Sequence, residues 1–191
     1  VSLFVTLNPD QVRWAERIGT QRNDEAPGNP RFAYEARDGN RTHQIGAMGE
    51  LAVAVAMGLE WPARVGTFRV LPDIDPFWEV RWGTTRKVKV ATDDKPDQTV
   101  MWVTGDPPTF EIHGCIMAGW VQQNRPAIDF KDKGRKCHWV ERELLTPFDE
   151  NFHTTHAWFN HPERGWICAY CPRTYEGPVP EPRVGRANAG G

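Results

Sequence analysis

The chain has 191 residues, with 23 Lys and Arg against 25 Asp and Glu, a formal net charge of −2. That balance argues against a strongly basic nucleic-acid coat protein, whose domain carries a high isoelectric point, and leaves room for an enzyme with a local basic groove. Apolar residues at 39% and nine Trp supply a core for one domain, or one domain with a small appendage.

No run of 18 apolar residues occurs, so no transmembrane span and no membrane partner are expected. The chain opens on Val1 without a basic stretch followed by an apolar core, so no signal peptide is expected. Cys115, Cys137, Cys168 and Cys171 are too few and too unevenly spaced for a disulfide framework. A reducing, cytoplasmic setting is the expectation.

The first helix is expected over Asn8–Thr20, with Asn8 as cap, Pro9 at the first position and Asp10 in the first turn. Val12, Trp14, Ala15 and Ile18 supply its apolar residues. Gln21–Asn40 is polar with two Pro and two Gly and reads as a long surface loop. A second helix is expected over His43–Leu59, rich in Ala, Met, Leu and Val, with Gly58 near its end. Strands are expected over Arg64–Leu71, Phe77–Trp82, Lys87–Ala91, Thr99–Thr104 and Thr109–Ile116. The turn signals between them are Asp75-Pro76, Asp93-Asp94-Lys95-Pro96 and Gly105-Asp106-Pro107-Pro108. Short links favour antiparallel neighbours. Trp139–Val140 is a further strand candidate, and from Pro172 to Gly191 the composition predicts disorder.

The segment Pro72–Arg81 reads Pro-Asp-Ile-Asp-Pro-Phe-Trp-Glu-Val-Arg. On a strand, Phe77, Glu79 and Arg81 share one face, and Trp78, Val80 and Trp82 the other. Glu50 lies inside the second helix, with Gly46, Ala47 and Ala54 on its face, small enough for close approach to a sheet. A carboxylate there is expensive to bury unless paired or metal-bound. Asp73 and Glu79 have five residues between them, and a tight connection at Asp75-Pro76 would bring the two carboxylates together. Three such oxygen donors suit Mg²⁺ or Mn²⁺.

The order Glu50, Pro72-Asp73, Glu79-Val80-Arg81 resembles the PD-(D/E)xK nuclease superfamily, with its restriction-endonuclease-like fold. The wider run from Gly46 to Trp120 also resembles small phage proteins with the same layout. The resemblance implies a metal-dependent nuclease that hydrolyses DNA phosphodiester bonds, phage-encoded and acting in the host cytoplasm. By position, Glu50, Asp73 and Glu79 are then the metal ligands, and Arg81 stands where the family has Lys. Arg81 would hold the scissile phosphate or stabilise developing negative charge; guanidinium is a poor general base. Lys87 or Lys89 would supply the missing amine, and Thr84 and Thr85 hydrogen bonds to phosphate. The partner implied is DNA, or alternatively RNA, and a homodimer would suit a double-strand cut.

Each residue also has a plainer reading. Glu79 and Arg81 could be a same-face ion pair on an exposed strand, Asp73 and Asp75 turn residues, and Glu50 a solvent-facing helix residue. Lys87 and Lys89 read as a solvated strand face. Trp61, Trp78, Trp82, Trp102, Trp120 and Trp139 read as core packing rather than base stacking.

Cys168-Ala-Tyr-Cys171 has zinc-ligand spacing, with Cys137, His138, His153, His156 and His161 upstream. No convincing second knuckle accompanies it, so buried Cys with surface His is preferred and Zn²⁺ is the alternative. The reading is therefore one α/β domain over residues 1–171, a central mixed sheet flanked by helices with a restriction-endonuclease-like core. That core spans about 43–120, with an extension over 121–171. The alternatives are a non-catalytic nucleic-acid-binding protein on the same fold, or a zinc-stabilised interaction module.

Overall fold

The computed structural model describes residues 2–25, 39–66, 71–74, 77–129, 136–148, 158–161 and 165–168. The chain divides into two compact units, Val1–Phe152 and His153–Gly191, a division that falls inside the stretch read from sequence as an extension.

The first unit opens with strand β1 (Leu3–Thr6), which the sequence reading did not include, followed by helix α1 (Pro9–Glu25). Asn8 caps α1: its Oδ1 accepts the backbone N–H groups of Asp10 and Gln11 at 3.0 Å, and Gln11 Oε1 accepts that of Asn8 at 2.8 Å. These bonds satisfy donors that have no partner inside the first turn. The helix runs five residues past Thr20, so Gln21–Glu25 are helical rather than loop. Helix α2 (Gly39–Met57) starts four residues earlier than expected. The remainder of the expected loop lies outside the described residues.

The two helices meet closely at Gly19, where a Cβ would stand 2.5 Å from the backbone nitrogen of Gln44. Gln44 Nε2 donates to Thr20 Oγ1 at 3.0 Å across the same crossing. On the sheet side, Gly49 of α2 faces Trp82 and Val103. Ala47 and Ala54 are buried as the small-residue face predicts, whereas Gly46 has open space around it.

A four-stranded mixed sheet carries the unit, in the order β1-β5-β4-β2, from β2 (Trp78–Trp82), β4 (Thr99–Asp106) and β5 (Thr109–Met117). The β4–β5 hairpin is antiparallel as expected, and β1 adds antiparallel to β5. Strand β2 lies parallel to β4, with Glu79 opposite Val100 and Arg81 opposite Trp102. Strand β3 (Lys87–Ala91) does not pair with β2. It joins β7 (Lys136–Glu141) and β6 (Ile128–Asp129) in a second antiparallel sheet. The expectation of antiparallel sequence neighbours fails here for a physical reason. Strand β3 alternates exposed Lys87 and Lys89 with buried Val88 and Val90, which suits a sheet with one wet face, while β4 is buried on both faces.

Helix α2 covers one face of the mixed sheet. The second core lies between the two sheets and the short helix α3 (Ala118–Asn124), where Val88, Val90, Val100, Trp102, Ile116, Val121, Val140 and Leu145 pack together. The fold is α/β with a mixed sheet, but the face opposite α2 carries a second sheet as well as a helix. Trp61, Trp78 and Trp102 are core residues, as expected; Trp82 and Trp139 are half-buried and Trp120 is 45% exposed.

Arg64–Gly66 lie outside any strand, and 67–70 of the strand expected over Arg64–Leu71 are outside the described residues, as is Asp75-Pro76. Among the described residues no helix is long and apolar enough to cross a membrane. In the second unit, β8 (Trp158–His161) and β9 (Gly165–Cys168) form an antiparallel hairpin with Trp158 opposite Cys168. Cys171, His153, His156 and the tail from Pro172 lie outside the described residues.

Candidate active site

Helices α1 and α2, the segment ahead of β2, β2 itself and the turn after β3 bring charge together at the edge of β2. Helix α2 contributes Glu50, which is buried at 5% exposure. Helix α1 contributes Arg22, whose Nη1 and Nη2 donate to the two oxygens of Glu50 at 2.5 and 2.8 Å. Trp61 Nε1 donates a third bond to Glu50 at 3.1 Å. A buried carboxylate needs partners of this kind, and a planar guanidinium matches both its oxygens at once. The plainer reading of Glu50 as a solvent-facing helix residue is therefore incorrect.

Asp73 arrives on the segment before β2. Ile74 and Trp78 exchange backbone hydrogen bonds at 3.1 and 2.9 Å, which folds that segment back along β2. Asp73 Oδ2 then accepts the backbone N–H of Val80 at 2.8 Å. Two further bonds fix the approach of the segment. Arg64 Nη1 donates to the carbonyl of Pro72 at 2.6 Å, and Arg22 Nε donates to the carbonyl of Arg64 at 2.8 Å.

Glu79 and Arg81 lie two residues apart on β2 and form an ion pair, as a same-face placement predicts. The pair is not on an exposed surface: Glu79 is 8% exposed. Arg81 Nη2 also donates to Asp94 Oδ1 at 2.8 Å, and Asp94 Oδ2 accepts the N–H of Ala91 at 2.8 Å. Arg81 thus spans two carboxylates from different elements.

The electrostatics tie these groups into one cluster. Asp73 keeps some solvent-accessible surface, yet its carboxyl is desolvated enough to hold its proton well above the usual carboxylate range. Desolvation is the largest cause, and the charges of Glu50 and Glu79 add to it; Arg81 and the Val80 N–H oppose it. Burial likewise raises Glu79, with Arg81 opposing and Asp94 and Glu50 adding. For Arg22, burial disfavours the charge, but the bond to Glu50 and the fields of Glu50, Asp73 and Glu79 more than restore it. Arg81 is raised in the same way by Glu79, Asp94 and Asp73 against its own desolvation.

The expected residues Glu50, Asp73, Glu79 and Arg81 therefore feel one another across three segments. Among the described residues, no three His, Cys, Asp or Glu side chains are grouped to hold a metal ion as they stand. Arg22 and Arg81 are bonded to two of the three expected ligands. The donor chemistry nevertheless fits a hard divalent cation, because Glu50, Asp73 and Glu79 offer only carboxylate oxygens. The like charges that raise Asp73 are also what a cation would relieve. Those three residues are the ones that would hold it.

Lys87 and Lys89 belong to the second sheet, exposed, with Lys87 paired to Glu141 at 2.9 Å; the solvated-face reading holds. Thr84 and Thr85 are exposed, and Thr85 Oγ1 donates to the carbonyl of Lys87 at 2.7 Å. Cys115 and Cys137 are buried thiols, and His138 Nδ1 is hydrogen-bonded to the Arg125 carbonyl at 2.8 Å. Sequence reasoning missed Arg22 and Asp94. Arg22 fell in a stretch read as loop, and Asp94 in one read only as a turn. The continuation of the α1 pattern past Thr20 was the available signal for Arg22; Asp94 had none.

No protein-family model, no curated protein and no solved structure matches this chain.

Proposed function

We propose that the protein is a metal-dependent nuclease of the PD-(D/E)xK kind, with a restriction-endonuclease-like core, acting on DNA phosphodiester bonds with Mg²⁺ or Mn²⁺. The observation that carries this reading is the meeting of buried Glu50 from a helix, Asp73 bonded to the backbone of β2, and buried Glu79 ion-paired to Arg81 on that strand. The chemistry such an ion supplies is polarisation of a phosphoryl oxygen and activation of an attacking water.

The residues of the chain divide the remaining work. Glu50, Asp73 and Glu79 bind the cation. Arg81, with 26% of its side chain accessible, holds Glu79 in place and presents positive charge to the phosphate. Asp94 positions Arg81. Arginine does not accept a proton at neutral pH, so the carboxylates are the proton acceptors this cluster offers, and a bound cation would supply the activation of the attacking water.

The test is nicking of supercoiled plasmid and labelled single strands with Mg²⁺, Mn²⁺ or EDTA, comparing the native chain with Glu79→Ala. Cleavage should require the cation and fall on the order of 100-fold or more in the variant. Unchanged cleavage by Glu79→Ala would overturn the assignment. The bond from Arg81 to Asp94 favours one other reading, a non-catalytic nucleic-acid-binding protein, because that guanidinium is already committed inside the protein. That reading expects salt-dependent DNA binding with no nicking under any divalent metal.

A further inference from the structure

We propose that Thr104, His113 and Glu111 form a second reactive centre, in which Thr104 Oγ1 is a nucleophile toward carboxylic esters with an apolar acyl group. The proposal stands apart from the carboxylates around β2 and needs no cation.

Burial along β4 ends at Val103: Thr104 is half-buried, and Gly105 and Asp106 are exposed. Thr104 lies opposite Glu111 on β5, and Glu111 lies opposite Phe4 on β1, so the three side chains form one row on one face. The register shift after Trp102 sets His113 beside that row. Thr104 Oγ1 stands 2.7 Å from His113 Nε2, and Glu111 Oε1 stands 3.5 Å from His113 Nδ1. An ionised carboxylate only accepts, so Glu111 favours the proton of the neutral ring on Nδ1 and leaves the Nε2 lone pair for the Thr104 O–H. Stacking on Trp102, with centroids 4.3 Å apart, holds the ring. Burial lowers the pKa of His113, with Glu111 opposing and Arg142 adding, so the ring is a neutral base at pH 7. A hydroxyl on a base that a third group orients is the arrangement of nucleophilic catalysis.

In the reaction, Thr104 Oγ1 adds to the ester carbonyl carbon while its proton passes to His113 Nε2. The bond to the alcohol oxygen breaks, and the alcohol leaves with that proton. Water then adds to the acyl-threonine and gives a proton to Nε2; the acyl–Oγ1 bond breaks, the proton returns to Oγ1 and the carboxylic acid departs. Glu111 is a positioning residue for the ring. Arg142 stands 3.4 Å from Glu111, and its positive charge beside the row favours the developing oxyanion. Phe4, 66% exposed in the same row, offers apolar surface to the acyl group.

A Thr104 hydroxyl that only satisfies the buried ring would not react with electrophiles, and this separates the two roles. The full chain is treated with a fluorophosphonate, whose phosphorus takes the hydroxyl oxygen as fluoride leaves, and the adduct is located by peptide mass spectrometry. Hydrolysis of p-nitrophenyl butyrate is followed in parallel, with thermal melting as the control for folding. The native chain should carry the adduct on Thr104 and hydrolyse the ester above the spontaneous rate. Thr104→Ser should keep both properties and Thr104→Ala lose both, while His113→Gln should slow labelling on the order of 100-fold. No adduct on Thr104 of the folded native chain overturns the proposal, as does labelling that His113→Gln leaves unchanged. An adduct on Thr104 without ester hydrolysis overturns it as well. Should His113→Gln fail to fold, the native chain decides: labelling should slow as pH falls and His113 takes up a proton, and a rate independent of pH would refute the base.

Discussion

Asp73 Oδ2 accepts the backbone N–H of Val80 at 2.8 Å, and this one bond both closes the edge of the mixed sheet and sets a carboxylate beside Glu79. Among the described residues, β2 is the last strand in the sheet order, and no strand pairs with its outward N–H groups. Ile74 takes the backbone groups of Trp78 and Asp73 takes the N–H of Val80. An edge that would otherwise be open to another chain is capped by the segment that carries the site residue.

Asp73→Asn keeps an acceptor for Val80 and removes the charge. Because the folded protein holds the Asp73 proton more tightly than the unfolded chain, ionisation of this group costs stability as pH rises above the ordinary carboxylate range. Native chain and variant should therefore be similar in stability near pH 4. At pH 7 to 8, in the absence of divalent cations, the variant should be the more stable. Urea unfolding across that range measures the difference, and a difference that does not grow with pH refutes the coupling.

Gly19→Ala sets two effects against each other. Alanine improves helix propensity by about 1 kcal/mol. Its methyl group, however, would stand 2.5 Å from the backbone nitrogen of Gln44, and backbone cannot rotate aside. Overpacking of this kind costs about 1–3 kcal/mol, so the net effect should be a loss of stability and a lower Tm. A Tm that rises would mean that α1 and α2 do not cross at this point.

His113 gives a second pH dependence with the opposite sign. A register shift between Trp102 and Val103 leaves His113 without a partner opposite it on β4, and Gly114 beside it has φ of 144°. Such a bulge re-aims the side chain. The ring stacks on Trp102 with centroids 4.3 Å apart, and Nε2 is hydrogen-bonded to Thr104 Oγ1 at 2.7 Å. Burial lowers the pKa of His113; Glu111 opposes the shift and Arg142 adds to it. The unfolded chain then binds the proton more readily, so the contribution of His113 is present at neutral pH and lost as pH falls through about 6.5. Replacing His113 by Gln should remove that slope. Stability of both forms at pH 5 and pH 7.5 provides the check, and an equal difference at the two values would refute it.

Local pattern alone determined the Asn8 cap, the existence of two helices, and strands over Lys87–Ala91 and the β4–β5 hairpin. Capping chemistry, apolar spacing and Gly-Pro turns act over a few residues, so they are legible without the fold. The shared face of Glu79 and Arg81 was legible for the same reason, since strand geometry has a period of two. Tertiary structure alone decided that β2 pairs parallel with β4 while β3 leaves for a second sheet. That choice depends on which strand can be buried on both faces, and the partners are distant in sequence. It also decided the partners of the candidate site. Glu50 is 28 residues from Arg22, and Arg81 is 13 residues from Asp94. No local signal links residues so far apart; they meet because a buried charge must find its counter-ion wherever the packing of helices and strands brings one within reach.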